Sequence, residues 1–313
     1  MTRRMELRWG ATTHQGRVRQ GNEDAFMACP NLFVVADGMG GHNAGEVASA
    51  MAVASLSAGA GQGIKSPSEL ELLIRSANAA IYTASTTYAD QRGMGTTITA
   101  VARLNNDESE SGQRFELAIA NVGDSRTYLK RNNELLRVTL DHSYVQALVN
   151  EGLISIAEAR VHPRRNIVTR ALGIESDVEV DISVVEVQHG DRFVLCSDGL
   201  VDEADDEEID TVLYSHETPQ MAAEDLVTLA NDHGGRDNTT VIVVDVIIYD
   251  ATPAGGMPVT EPMSNVDEVL QGSISEDSAT ESAEKKRRFA VGKIAVVAGV
   301  IAVIAVTIAL IVG

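Results

Sequence analysis

Aromatic residues are scarce in this 313-residue chain: Phe, Trp and Tyr together make up 4%, with a single Trp. A core built without large rings must be aliphatic and rich in Ala, and the 44% hydrophobic content is enough for a sizeable one. Cysteine is nearly absent. Cys29 and Cys196 have no metal-ligand spacing, no disulfide framework is expected, and a reducing cytosol fits. Positive charge is short as well: 25 Lys and Arg face 45 Asp and Glu, a net charge of −20. That balance argues against nucleic acid as a partner, because phosphate backbones select basic surfaces. It also denies any anionic substrate long-range attraction, so local cations must hold such a group. No apolar run follows the N-terminal Met-Thr-Arg-Arg-Met-Glu, and no signal peptide is expected.

What is present falls into three regions. Residues 1–248 mix strand-like runs (32–36, 115–120, 126–129, 180–187, 192–196, 241–248) with helix-like ones (44–56, 67–89, 145–151, 206–214, 219–231). Strands and helices cluster rather than alternate, which predicts an α+β layered fold over a doubly wound one. Residues 249–284 are rich in Pro, Gly, Ser, Asp and Glu and contain no Lys or Arg, a composition that predicts a disordered acidic linker. Residues 285–313 open on Lys-Lys-Arg-Arg and continue into nineteen residues, 294–312, without a charge. A helix of that length spans about 28 Å, close to the hydrocarbon core of a bilayer. Basic residues on its N-terminal side place that side in the cytoplasm. A single-pass C-terminal anchor in the cell membrane is the expectation.

Within the first region, three Asp residues stand in short Gly-flanked stretches: Asp37 in Asp-Gly-Met-Gly-Gly-His, Asp198 in Ser-Asp-Gly-Leu and Asp237 in Gly-Arg-Asp-Asn. Asp124, in Gly-Asp-Ser-Arg, lies between them. Asp37 and Asp198 each follow a strand-like run. A carboxylate at a strand end, followed by Gly, is held rigidly and lets backbone come close to a ligand. Several such carboxylates converging would hold hard divalent cations, which prefer oxygen. One Asp-Gly taken alone is an ordinary turn.

The ordered set resembles the metal-dependent type 2C protein serine/threonine phosphatases, the PPM family, in the bacterial form. It includes Arg19, Asn22-Glu23-Asp24, the motifs above, Gly95-Thr96-Thr97, Asn121–Arg126, Asp141-His142-Ser143, His162–Asn166, Thr169–Gly173 and Asp237–Thr240, and it covers about residues 5–248. The resemblance implies a central antiparallel β-sandwich flanked by helices on both sides, with a mobile flap at 139–175. It implies hydrolysis of phosphoserine and phosphothreonine in phosphorylated proteins by a water activated between two Mn²⁺ or Mg²⁺ ions. Asp37 would bridge the ions and Gly38 would offer its backbone carbonyl. Asp198 and Asp237 would complete the second ion's shell, and Glu23 and Asp24 would act through bound waters. Arg19 is the phosphate-binding candidate, with nearby Arg17 the competing register. Asp124 would join Asp198 on a third ion or else tie down its own turn. His42 is the candidate general acid, displaced by three residues from the position animal-type members use; its alternative is a cap on the helix that starts near Asn43. Gly95, Thr96 and Thr97 read as backbone and core support near the site, and Thr239 and Thr240 as the opening of the last strand; neither Thr pair is assigned catalytic work. The expected partners are a membrane serine/threonine kinase and that kinase's targets, and a monomeric catalytic domain is expected.

Overall fold

The computed structural model describes residues 2–41, 44–60, 63–104 and 114–251. Two antiparallel sheets carry the fold. The first runs in the order β1 (Thr2–His14), β11 (Thr239–Ala251), β10 (Arg192–Cys196), β7 (Arg126–Arg131) and β8 (Glu134–Arg137). The second runs β2 (Asp24–Cys29), β3 (Leu32–Met39), β5 (Ile98–Arg103), β6 (Glu116–Val122) and β9 (Asp181–Glu186), with the short β4 (Gly95–Thr96) paired to the end of β3. Two long helices, α1 (Ala44–Ala60) and α2 (Pro67–Thr87), belong to the second sheet's side. Three more, α5 (Asp198–Val201), α6 (Asp206–Ser215) and α7 (Pro219–Asp232), belong to the first. The short α3 (Tyr144–Asn150) and α4 (Ile156–Arg160) lie in the 139–175 segment.

Strand periodicity explains the layering. Successive strand residues point to opposite faces. Phe33 and Val35 of β3 join Phe193, Leu195, Ile242 and Val244 in the core between the sheets. Their neighbours Val34 and Ala36 face α1 and α2, while Val194, Cys196, Val241 and Val243 face α5, α6 and α7. Strands buried on both faces read as continuous apolar runs, which is why 32–36, 192–196 and 241–248 are visible in the sequence. The result is a helix, sheet, sheet, helix sandwich, as expected.

The missing aromatics are replaced by small side chains. Helix α1 buries Ala44, Ala48, Ala52 and Leu56 at four-residue spacing, so its backbone can lie close on β3. Helix α2 starts at Pro67, which fits the first helical position, and Ser66 caps it by accepting from Glu69 N at 3.2 Å. It buries Leu70, Ile74, Ala77 and Ile81.

The sequence reading did not include β1, β2, β4, β5 or β8. β1 alternates Met5 and Leu7 with charged residues, and it forms the sheet's edge. β11 continues to Ala251. Among the described residues no helix is long and apolar enough to cross a membrane. The linker and the apolar stretch 294–312 lie outside the described residues.

Candidate active site

The carboxylates gather where strand ends meet. Antiparallel pairing of β2 with β3 puts Asp24 directly opposite Asp37. Like charges so placed repel. Asp198 is the first residue of α5, immediately after β10, and Asp237 lies in the loop that leads into β11. Asp124 sits in the turn between β6 and β7 and is buried.

Glycines permit this convergence. A Cβ on Gly38 would lie 2.1 Å from Gly45 O and 2.5 Å from Glu23 O, both backbone atoms. A Cβ on Gly199 would lie 2.0 Å from Asn238 O. Neither glycine has positive φ. They are there for space, not for a turn.

The electrostatics follow from crowding. Burial pushes the Asp37 carboxyl well above the usual range, and repulsion from Asp24, Asp198 and Asp124 adds to it. Its hydrogen bond with Asp198 favours the proton on Asp37. Asp198 is likewise raised by burial, with Asp124, Asp202 and Asp237 repelling its charge. Burial lifts Asp124 to about 7, with Asp141 the chief repelling neighbour. Asp24 is pushed up to about 6 by burial, although hydrogen bonds from Thr240 and Ser197 oppose the shift. Glu23 is also raised by burial.

Arg19 supplies positive charge at the rim: its Nη2 donates to Asp237 Oδ2 at 2.5 Å. Asp237 Oδ1 accepts from Asn238 N at 2.8 Å. Asn238 organises the approach to the cluster. Its Oδ1 accepts from Glu23 N at 2.8 Å, and its Nδ2 donates to Gln15 O and Gly21 O, both at 2.9 Å. Arg17 is turned to a different partner, Asp232, at 2.6 Å. A groove of about 350 Å³ beside β1 and α7, lined in part by His14, Arg17, Asn231 and Asp232, contains none of the clustered carboxylates.

Two acceptor oxygens, Glu23 Oε1 and Asp24 Oδ1, are buried with no hydrogen-bond partner. A buried carboxylate oxygen left bare costs free energy unless a cation or a water meets it. The donor set is all oxygen, which suits a hard divalent ion. Among the described residues no three His, Cys, Asp or Glu side chains are grouped closely enough to hold one metal ion as they stand. The fit therefore rests on the chemistry of the donors and on the bare oxygens.

Arg19, Glu23, Asp24, Asp37, Gly38, Asp124, Asp198 and Asp237 are thus brought into one neighbourhood. His42 lies outside the described residues. Thr96 and Thr97 support Asp37 as the sequence suggests: Thr97 Oγ1 accepts from Asp37 N at 3.1 Å, and Thr96 Oγ1 donates to Asp37 O at 2.8 Å. Three residues were not anticipated. Ser197 and Thr240 donate their hydroxyls to Asp24. Asp202, four residues beyond Asp198 and raised by burial, pairs with Arg165 at 3.4 Å. Helical i, i+4 spacing from Asp198 was the available signal for Asp202; the two hydroxyls had none.

The 139–175 segment is fastened to the turn that carries Asp124. His142 N donates to Gly123 O at 2.9 Å, and His142 Nδ1 accepts from Gly123 N at 3.0 Å. Arg126 grips Asp141 through Nε and Nη2.

The family model for protein phosphatase 2C matches residues 13–230. The chain belongs to the protein phosphatase 2C family. It is 41% identical over 248 residues to the serine/threonine protein phosphatase PstP of Mycobacterium tuberculosis, covering 78% of this chain and 46% of that protein. It therefore spans about half the length of that curated relative. Identity to the serine/threonine phosphatase stp of Listeria monocytogenes is 41% over 244 residues, covering 74% of this chain and 93% of that one. The crystal structure of the PstP catalytic domain in complex with two manganese ions superposes with a TM-score of 0.70 at 38% identity, covering 78% of this chain and all of that one. Family membership accounts for the sandwich.

Proposed function

We propose that this protein phosphatase 2C family member hydrolyses phosphoserine and phosphothreonine in proteins, using Mn²⁺ or Mg²⁺ held by the carboxylate cluster. One observation carries the reading: buried acidic groups converge around bare oxygens with an arginine at the rim. Such a cluster is costly to leave uncompensated, and two divalent ions would compensate it. The manganese complex of the PstP catalytic domain supports this choice of cofactor.

Asp37, Asp198 and Asp237 would hold the ions, with the Gly38 carbonyl beside them. Glu23 and Asp24 would orient waters, and Asp124 would serve a third ion. When bound, the ions would acidify a water as nucleophile and neutralise the phosphoryl oxygens. Arg19 would turn from Asp237 to the phosphate, where its planar guanidinium can grip two oxygens. His42 remains the side-chain candidate for protonating the leaving alkoxide. Domain 1–248 would be tethered through linker 249–284 to a transmembrane helix within 285–313, with the catalytic part in the cytoplasm. Membrane-bound phosphoproteins, including a serine/threonine kinase, would then be favoured by effective concentration.

Phosphate release from a phosphothreonine peptide, with and without Mn²⁺, tests the activity. Release only with the metal is expected. Peptide binding without release would identify an adaptor, and cleavage of nucleic acid instead would identify a nuclease.

A further inference from the structure

We infer that Thr13, Ser197 and Thr240 are positioning residues: they lock Asp24 through one-way chains of hydroxyl hydrogen bonds and so set how tightly the carboxylate cluster takes a divalent cation. The inference rests on the metal-site reading above.

The direction of each bond follows from counting protons. Asp24 Oδ2 accepts from Thr240 Oγ1 at 2.7 Å and from Ser197 Oγ at 2.8 Å. A hydroxyl has one proton to give. With Thr240 donating to Asp24, the 2.7 Å contact between Thr240 and Thr13 must have Thr13 as donor. Thr13 Oγ1 in turn accepts from Asn22 Nδ2 at 2.8 Å. A parallel branch starts at the backbone: Thr240 N donates to Ser197 Oγ at 2.9 Å, and Ser197 passes its own proton to Asp24. Both branches therefore point at the same carboxylate oxygen.

Two consequences follow. Oδ2 is committed to two donors, so Oδ1 alone is left to face the cluster, and it has no partner. The carboxylate cannot rotate to exchange its oxygens without breaking two hydrogen bonds. Asn22 closes a loop in this arrangement, since its Oδ1 accepts from Asp24 N at 3.1 Å. Side-chain and backbone ends of Asp24 are thus held by the same small network, which joins β1, β2 and β11 to Ser197 at the start of α5.

Calorimetric titration of the chelator-treated full-length chain with MnCl₂ tests this, with circular dichroism checking the fold. Thr240→Val keeps shape but removes the donor, and it should weaken Mn²⁺ binding about tenfold or more, the usual effect of losing a residue that orients a ligand. Thr240→Ser restores a hydroxyl and should bind within about threefold of wild type. Thr13→Val should weaken binding less than Thr240→Val does, and it should have no further effect when Thr240 is already Val, because the two act in series. Ser197→Ala lies on the other branch and should add to Thr240→Val. Wild-type affinity in a folded Thr240→Val protein would overturn the inference. So would full additivity between positions 13 and 240, or failure of Thr240→Ser to rescue. If Thr240→Val does not fold, the comparison of Thr240→Ser with Thr13→Val on the serine background decides the same point. A wild-type chain that takes up no Mn²⁺ would instead sink the metal-site reading itself, a result distinct from equal binding by wild type and variants.

Discussion

Asp124→Asn should make the chelator-treated protein more stable at pH 8. Asp124 is buried, and its folded-state pKa is pushed from the ordinary 3.8 to about 7, first by desolvation and then by Asp141. At about 1.4 kcal/mol per pH unit, ionising it in the folded chain costs about 4 kcal/mol as an upper figure. Asn has the same shape without the charge. Its amide still needs partners, and an unmet one costs about 1–3 kcal/mol. The net gain should be about 1–3 kcal/mol, or roughly 2–12 °C in Tm for a domain of this size. The sign depends on pH. Below about pH 4 the carboxyl is protonated in both states, and the charge makes no difference. As pH rises, the unfolded chain ionises freely while the folded one resists until about 7, so the wild type loses stability across that window. Above it, the full penalty stands. Thermal melts of both proteins at pH 5 and pH 8 in chelator would measure this. A gain of the same size at both pH values would refute the electrostatic account, and a lower Tm for Asp124→Asn at pH 8 would refute it more directly.

Asp198→Asn or Asp237→Asn should abolish phosphate release and weaken Mn²⁺ binding with the circular dichroism spectrum unchanged; near-normal turnover at saturating Mn²⁺ would contradict the ligand assignment. Arg19→Ala should cost about 2–4 kcal/mol in kcat/KM, whereas Arg17→Ala, whose partner is Asp232, should cost much less; equal losses would mean the wrong arginine was chosen. Gly38→Ala should destabilise the fold by at least about 2 kcal/mol, because its Cβ would collide with backbone on two sides, and an unchanged denaturant midpoint would remove the close-approach argument. A chain cut after Asp250 should release phosphate from a small ester as well as the full-length chain does, while only the latter stays with membranes in high salt; loss of activity on the cut would end the independent-domain reading.

Burial on both faces made β10 legible, but β5, buried from Ile98 to Ala102, was missed, and β9, largely exposed, was read. Val194 and Phe193 are both fully buried, on opposite faces of one strand, so from Phe193 to Cys196 no charged residue interrupts their run. β1 is different. Its apolar Met5 and Leu7 alternate with Arg4, Glu6 and Arg8 at the sheet edge, and no long apolar run marks it. At the site, Asp37 and Asp198 were visible because each follows a strand and precedes Gly. Thr240 was not. A threonine at the start of a strand is ordinary, and its hydroxyl meets Asp24 across 216 residues of chain. Ser197 meets the same carboxylate across 173. Contacts that long are set by how the two sheets pack, since Thr240 belongs to the first sheet and Asp24 to the second, and a local pattern carries no record of that packing.

The Asp-Gly pairs show how a correct signal can carry a different physical meaning. Read locally, Asp-Gly is a turn that uses glycine's freedom at positive φ. Gly38 and Gly199 do not use that freedom. They stand where two backbones approach too closely for any Cβ, Gly38 against Gly45 and Glu23, and Gly199 against Asn238. Each close approach draws an acidic segment inward: Glu23 beside Asp37 in the first case, the Asp237-Asn238 loop beside Asp198 in the second. The glycines therefore act on the charges. They let segments far apart in sequence bring their carboxylates together, and the repulsion that results adds to burial in raising Asp37 and Asp198. A larger residue at either position would relieve the repulsion by spreading the cluster, and would remove the reason a divalent ion should bind there.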